Sequence, residues 1–124
     1  MINFSLMMTP ESTVSVDGLC SAALPGVLSV LAERGYAVSE GSPSGWPLPG
    51  GVREFSVGPG LLRVSADGGG VEFALQGPDF GIVGIDAGAG HDAVLWMRLL
   101  TLGLQLQQAH AVVAAVSDPE FPAM

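Results

Sequence analysis

The chain has 124 residues, 48% of them hydrophobic, with 18 glycines and 9 prolines; that size and composition suit one globular domain and exclude a multidomain enzyme. Twelve acidic residues stand against four basic ones, all arginines (Arg34, Arg53, Arg63, Arg98), and the net charge of −8 argues against nucleic acid as a partner. Cys20 is the lone cysteine and residues 1 to 20 hold no Lys or Arg for a secretory signal, so a reducing, cytoplasmic location is expected.

Residues 2 to 8, INFSLMM, begin in apolar–polar alternation and stop before Thr9-Pro10, which predicts a half-buried first strand. Asp17 can cap a short turn over Leu19 to Leu24, and Pro25 suits the first turn of a short helix running to Arg34. Leu24, Val27, Leu28 and Leu31 recur at helical spacing, Glu33 and Arg34 point outward, and Gly35 offers a left-handed stop with Tyr36 packing back. Tyr36 to Ser39 starts a second strand.

Residues 40 to 51 hold four glycines and three prolines, so neither a helix nor a central strand persists there. This exposed loop carries Trp46, read either as a plug that pins the loop to the body or as an aromatic anchor for a partner. Segments 52–57, 61–66, 71–76 and 80–86 then alternate with Gly/Pro/Asp turn signals, the pattern of an antiparallel meander. Val52, Phe55, Val57, Leu62, Val64, Val71, Phe73 and Leu75 are expected on one face, and Arg53, Arg63 and Glu72 on the other. The last segment is nearly all apolar and reads as more buried.

A helix of about 25 residues is expected over 91–116, about 37 Å long. Leu95, Leu99, Leu102, Leu106, Ala109, Val113 and Val116 would form its apolar face, flanked by Trp96, Leu100 and Leu104, with Arg98, Thr101, Gln105 and Gln108 as a polar stripe. That apolar face is wider than one sheet needs, which points to a homodimer or partner contact through the helix. Arg98 and the glutamines inside the window argue against a membrane span. An extended tail over 117–124 completes an α+β fold: an antiparallel sheet of five or six strands in β-α-β-meander order, packed on one face by a short N-terminal and a long C-terminal helix.

No stretch carries a strong chemical motif. IVGIDAGAGHDA, residues 82–93, places Gly88 and Gly90 after Asp86 in a run that resembles the phosphate loop of sugar-kinase-like ATPases, but those folds are several times longer and the glycines read as turn residues. Asp86, His91 and Asp92, with Asp79 nearby, carry donors for a metal or an acid–base pair, yet Asp92 beside a helix start is better read as a helix-end carboxylate. Cys20 has no neighbouring base and reads as a structural thiol. No metal or cofactor is expected, nor an enzymatic activity, from a chain so poor in histidine and lysine.

What remains is acidity. The expected function is a small non-enzymatic protein-binding module, an inhibitor of the immunity-protein type that neutralises one basic partner such as a toxin. Trp46, Glu54, Asp67, Glu72 and Asp79 are the candidate partner-facing residues. Two alternatives stand beside it: an acidic secretion chaperone that binds through an apolar patch, and a binder of a small hydrophobic ligand. For the latter, the element order resembles that of helix-grip lipid-binding domains, and a cavity of about 300 Å³ or more between helix and sheet would discriminate it.

Overall fold

A computed structural model describes residues 1–41, 52–66, 69–77, 80 and 92–117. The elements are β1 (Ile2–Met8), α1 (Val16–Glu33), β2 (Val38–Glu40), β3 (Val52–Val57), β4 (Gly60–Ala66), β5 (Gly70–Gln76), α2 (Ala93–His110) and β6 (Val112–Ser117). The strands form one antiparallel sheet in the order β2-β3-β4-β5-β1-β6, and the helices pack on it to give an α+β fold.

Register fixes which side chains face the helices. Ile2, Phe4 and Leu6 of β1 stand opposite Leu75, Phe73 and Val71 of β5, and Leu75 and Phe73 in turn oppose Leu62 and Val64 of β4. All of these are buried and join Leu19, Ala23, Val27 and Leu31 of α1 and Leu95, Leu99 and Leu106 of α2 in one core cluster. Because side chains alternate along a strand, Asn3, Ser5, Arg63, Ser65, Glu72 and Ala74 project from the opposite face, which neither helix covers. The polar alternation at β1, β4 and β5 therefore becomes a wet outer face, as the pattern predicts.

Four expectations are corrected. Pro25 does not open a helix but lies inside α1, which is 18 residues long and is capped by Ser15, whose side chain accepts from the Gly18 N–H at 3.0 Å. Asp17 sits in the first turn rather than at the cap. Pro25 and Ser21 are both exposed, so the carbonyl left without its helical donor can turn to water and the proline is tolerated.

The helix expected over 91–116 ends at His110: Ala111 takes a left-handed conformation (φ 53, ψ 45), and the chain turns back as β6 along β1. Val113 and Val116 thus belong to a strand, and Ser117 is its last residue rather than the start of an extended tail. The third correction concerns Arg53. It stands opposite buried Val64, hence on the helix-facing side with Phe55 and Val57, while Val52 and Glu54 lie on the outer side opposite Ser65 and Arg63. The fourth concerns apolar length. Among the described residues the helix that is long and apolar enough to cross a membrane, with a mean hydropathy of 1.4, is α1, not α2, and in the fold α1 buries Leu19, Cys20, Ala23, Leu24, Val27, Val30 and Leu31 in the core.

Other local signals hold. Gly35 has φ 87, the Tyr36 N–H donates to the Leu31 carbonyl and the Gly35 N–H to the Ala32 carbonyl, which closes α1 in a Schellman motif. Gly58 (φ 56) occupies the first position of the two-residue turn that joins β3 to β4. Of the expected strand 80–86, Phe80 is described; it is fully buried, its ring centroid 5.2 Å from that of Tyr36. The rest of that segment, and residues 42–51 of the Gly/Pro loop, lie outside the described residues.

Candidate partner-facing surface

The candidate site is the face of the sheet turned away from both helices. Of the five residues singled out by sequence, Glu54 and Glu72 lie on it, while Trp46, Asp67 and Asp79 fall outside the described residues. Glu72 is exposed and stands between Ser5 of β1 and Ser65 of β4. Glu54 is half-buried and directly opposite Arg63. The two carboxylates are therefore brought to one surface, with a guanidinium between them.

That surface is not flat. A depression of about 550 Å³ is bounded by Ser5, Met7, Ser65, Gly69, Gly70 and Glu72, and a second of about 290 Å³ by Asn3, Arg63, Ser65, Glu72 and Gln76. Ser65 and Glu72 line both, so Glu72 stands between the two depressions. Asn3 Oδ1 is buried there without a hydrogen-bond partner among the described residues. The lining residues Asn3, Ser5 and Ser65 were legible only as the polar half of strand alternation; no motif marks them.

Elsewhere the arginines are paired. Arg53 donates to Glu40 through Nε (2.7 Å) and Nη2 (2.9 Å), and its guanidinium carbon lies 5.4 Å from the centroid of the Phe55 ring. The Arg53 hydrogen bonds draw the Glu40 carboxyl below its ordinary value, against a smaller opposing effect of burial. Arg34 pairs with Asp92 at 3.0 Å, and Arg98 with Glu33. Among the described residues the arginine outside these pairs is Arg63, on the outer face. Carboxylates thus dominate what each surface offers a partner: Glu11 and Asp17 near the start of α1, Glu54 and Glu72 on the open sheet.

Asp92 acts as the N-cap of α2, accepting from the Leu95 N–H at 3.0 Å, which agrees with the helix-end reading; Asp86 and His91 lie outside the described residues. Among the described residues no group of three or more His, Cys, Asp or Glu side chains could hold a metal ion. Between sheet and helices the space is occupied by fully buried Phe4, Phe73, Leu19, Leu31, Leu95 and Leu99. The depressions described above open on the outer face, and a further one of about 240 Å³ lies in the groove between α1 and α2, beside Glu33 and Arg98.

No family model, no curated protein and no solved structure matches the chain. The reading of the surface therefore rests on its own geometry.

Proposed function

We propose that the protein is a small, non-enzymatic protein-binding module, an inhibitor of the immunity-protein type that docks a basic partner such as a toxin on the open face of its sheet. The observation that carries this reading is the position of Glu72 on the rim of two depressions, on the sheet face that neither helix covers, while three of the four arginines are consumed in ion pairs with Glu33, Glu40 and Asp92. An acidic body of charge −8 steers a cationic partner toward it, and Glu54 and Glu72 supply the local contacts. Burial of the single thiol, Cys20, is compatible with action in the cytoplasm.

The test is a pull-down of the tagged protein from its native host at low and high salt, with the Glu54→Arg/Glu72→Arg double variant alongside. One dominant partner is expected at low salt, lost at high salt, and bound about tenfold or more weakly by the double variant, a change of about 1.4 kcal/mol. No partner, or a partner held equally by the double variant, would overturn the reading.

A further inference from the structure

The sheet ends in β2 on one side and in β6 on the other, and the two edges are built differently. β2 is three residues long and carries Glu40, held by Arg53. β6 has six residues, VVAAVS, with no charge and no proline, and its register with β1 runs without a bulge. Short length, charge, proline and bulges are the ordinary means by which an edge strand is kept from pairing with another chain. β6 has none of them.

Backbone direction shows which groups β6 leaves open. The Met8 N–H points toward β5, donating to the Gly69 carbonyl at 2.9 Å, so by alternation Met7, Ser5 and Asn3 bond to β6. Their partners there are Val113, Ala115 and Ser117, which turns the N–H and C=O groups of Val112, Ala114 and Val116 away from the sheet. Among the described residues one side chain meets that row: Gln107, whose Oε1 accepts from the Ala114 N–H at 2.8 Å. α2 itself lies above the β1–β6 pair, since a Cβ at Gly103 would touch both Ala114 of β6 and Phe4 of β1. The Gln107 amide oxygen thus stands where the carbonyl of a seventh strand would stand.

We propose that Gln107 guards this edge, an intramolecular contact that keeps β6 from pairing with the β6 of a second copy. The strand supplies the complementarity that the guard holds off. In antiparallel pairing about a two-fold axis at Ala114, Ala114 faces Ala114, Val112 faces Val116 on the helix side, and Val113 faces Ala115 on the outer side, with no like charges brought together. The two Ala114 N–H groups are the central donors of that ladder, and both are free only when both Gln107 side chains let go. One such hydrogen bond lost in each copy corresponds to about tenfold or more in association. The edge is separate from the outer face of the sheet, so the proposal does not rest on capture of a basic partner there.

Sedimentation velocity of the full chain over a range of concentrations, at about 0.5 M salt to screen the charge of −8 on each copy, tests it. Gln107→Ala is expected to dimerise at a protein concentration at least about tenfold lower than wild type needs. Gln107→Glu, whose carboxylate still accepts from the Ala114 N–H, should associate no more than wild type. Gln107→Met, similar in length but without the amide, serves should Gln107→Ala fail to fold. Adding Ala114→Pro to Gln107→Ala removes the central donor at a position where proline breaks no bond to β1, and is expected to restore the monomer.

Hydrogen exchange locates the contact. The Ala114 amide of Gln107→Ala should exchange faster than in wild type when dilute and become protected as the dimer forms. A Gln107 that only ties β6 to α2 would lower stability on substitution without promoting association. Gln107→Ala as monomeric as wild type, equal association of Gln107→Ala and Gln107→Glu, or a dimer that survives Ala114→Pro with its Ala114 region unprotected would each overturn the proposal.

Discussion

Arg34, the C-cap of α1, donates through Nε to both carboxylate oxygens of Asp92, the N-cap of α2, at 3.2 and 3.0 Å. One carboxylate therefore terminates two helices that are 58 positions apart in sequence at this contact. Asp92 also accepts from the Leu95 N–H and from the Tyr36 hydroxyl (3.1 Å), and Tyr36 itself belongs to the Schellman closure of α1. Loss of the cap alone costs about 1 kcal/mol, and the interhelical bonds add to it. Asp92→Ala is expected to lose about 1–2 kcal/mol in urea denaturation, and Arg34→Ala, at an exposed side chain, to lose less. Equal midpoints for wild type and Asp92→Ala would refute the link.

The same carboxylate sets a pH dependence. Burial pushes the Asp92 carboxyl up, but the hydrogen bonds from Arg34, the Leu95 N–H and Tyr36 outweigh it and hold the group below its ordinary value. A carboxylate depressed in the folded state stabilises fully above its unfolded value of about 3.9 and loses that contribution as pH falls through the folded value. Glu40, held down by Arg53, acts in the same direction. The stability difference between wild type and Asp92→Asn should therefore be constant from neutral pH down to about 5 and shrink below about 4. A difference that stays constant to pH 2 would show that ionisation is not what Asp92 contributes.

Gly103 tests how closely α2 approaches the sheet. A Cβ at this position would lie 2.9 Å from the Cβ of Ala114 in β6 and 3.2 Å from Cε1 of Phe4 in β1. Helix propensity favours Gly103→Ala by about 1 kcal/mol, whereas overpacking a filled core costs about 1–3 kcal/mol. Since neither the strand backbone behind Ala114 nor the fully buried Phe4 ring can give way easily, the clash is expected to win. The variant should melt below the wild type; a higher melting temperature would mean that helix and strand move apart at little cost.

How much of this was legible varies with the kind of signal. Strand alternation placed the core faces of β1, β4 and β5, and Gly35 marked the end of α1, because those signals are local. Where α2 ends was not legible: Ala109, Val113 and Val116 continue the helical spacing past His110, and the stop is Ala111, a residue that normally favours helix. Pro25 misled in the opposite sense, since its tolerance inside α1 depends on which side of the helix faces water. Arg53 was misplaced because the face of a residue at a strand end follows from cross-strand register, and its inward position is sustained by Glu40 across the strand pair. On the outer face, Glu72 was readable from alternation, but not the outward side of Glu54, which follows from the inward Arg53, nor the depression that Glu72 shares with Ser5 and Ser65 from neighbouring strands.

Ala111 yields a prediction of its own. A left-handed alanine costs about 1 kcal/mol that glycine does not incur, partly offset by the greater freedom glycine gives the unfolded chain. Ala111→Gly should thus leave the α2–β6 turn intact and raise stability by a few tenths of a kcal/mol. The side-chain hydroxyls of Thr9 and Ser12 both donate to the Ala111 carbonyl, at 2.6 and 2.7 Å, so the turn is anchored independently of the residue's own preference. A loss of more than about 1 kcal/mol in Ala111→Gly would show that the methyl group has a packing role.

Cys20 reports on whether the core opens as a unit. It is buried beside Leu19 and Ala23 on the inward face of α1, and its thiol is pushed above its ordinary value by burial first and by the nearby Asp17 carboxylate second, against a smaller lowering effect from Arg53. Both accessibility and thiolate fraction are thereby suppressed, and only the thiolate reacts. A disulfide reagent should modify native protein about a thousandfold or more slowly than urea-unfolded protein, at a rate set by opening of α1 rather than by reagent access at the surface. Asp92→Ala, which unties the end of α1 from α2, should accelerate the reaction in proportion to its loss of stability. Labelling that is fast in the native protein and indifferent to Asp92→Ala would mean that α1 leaves the sheet without breaking the helix-to-helix tie.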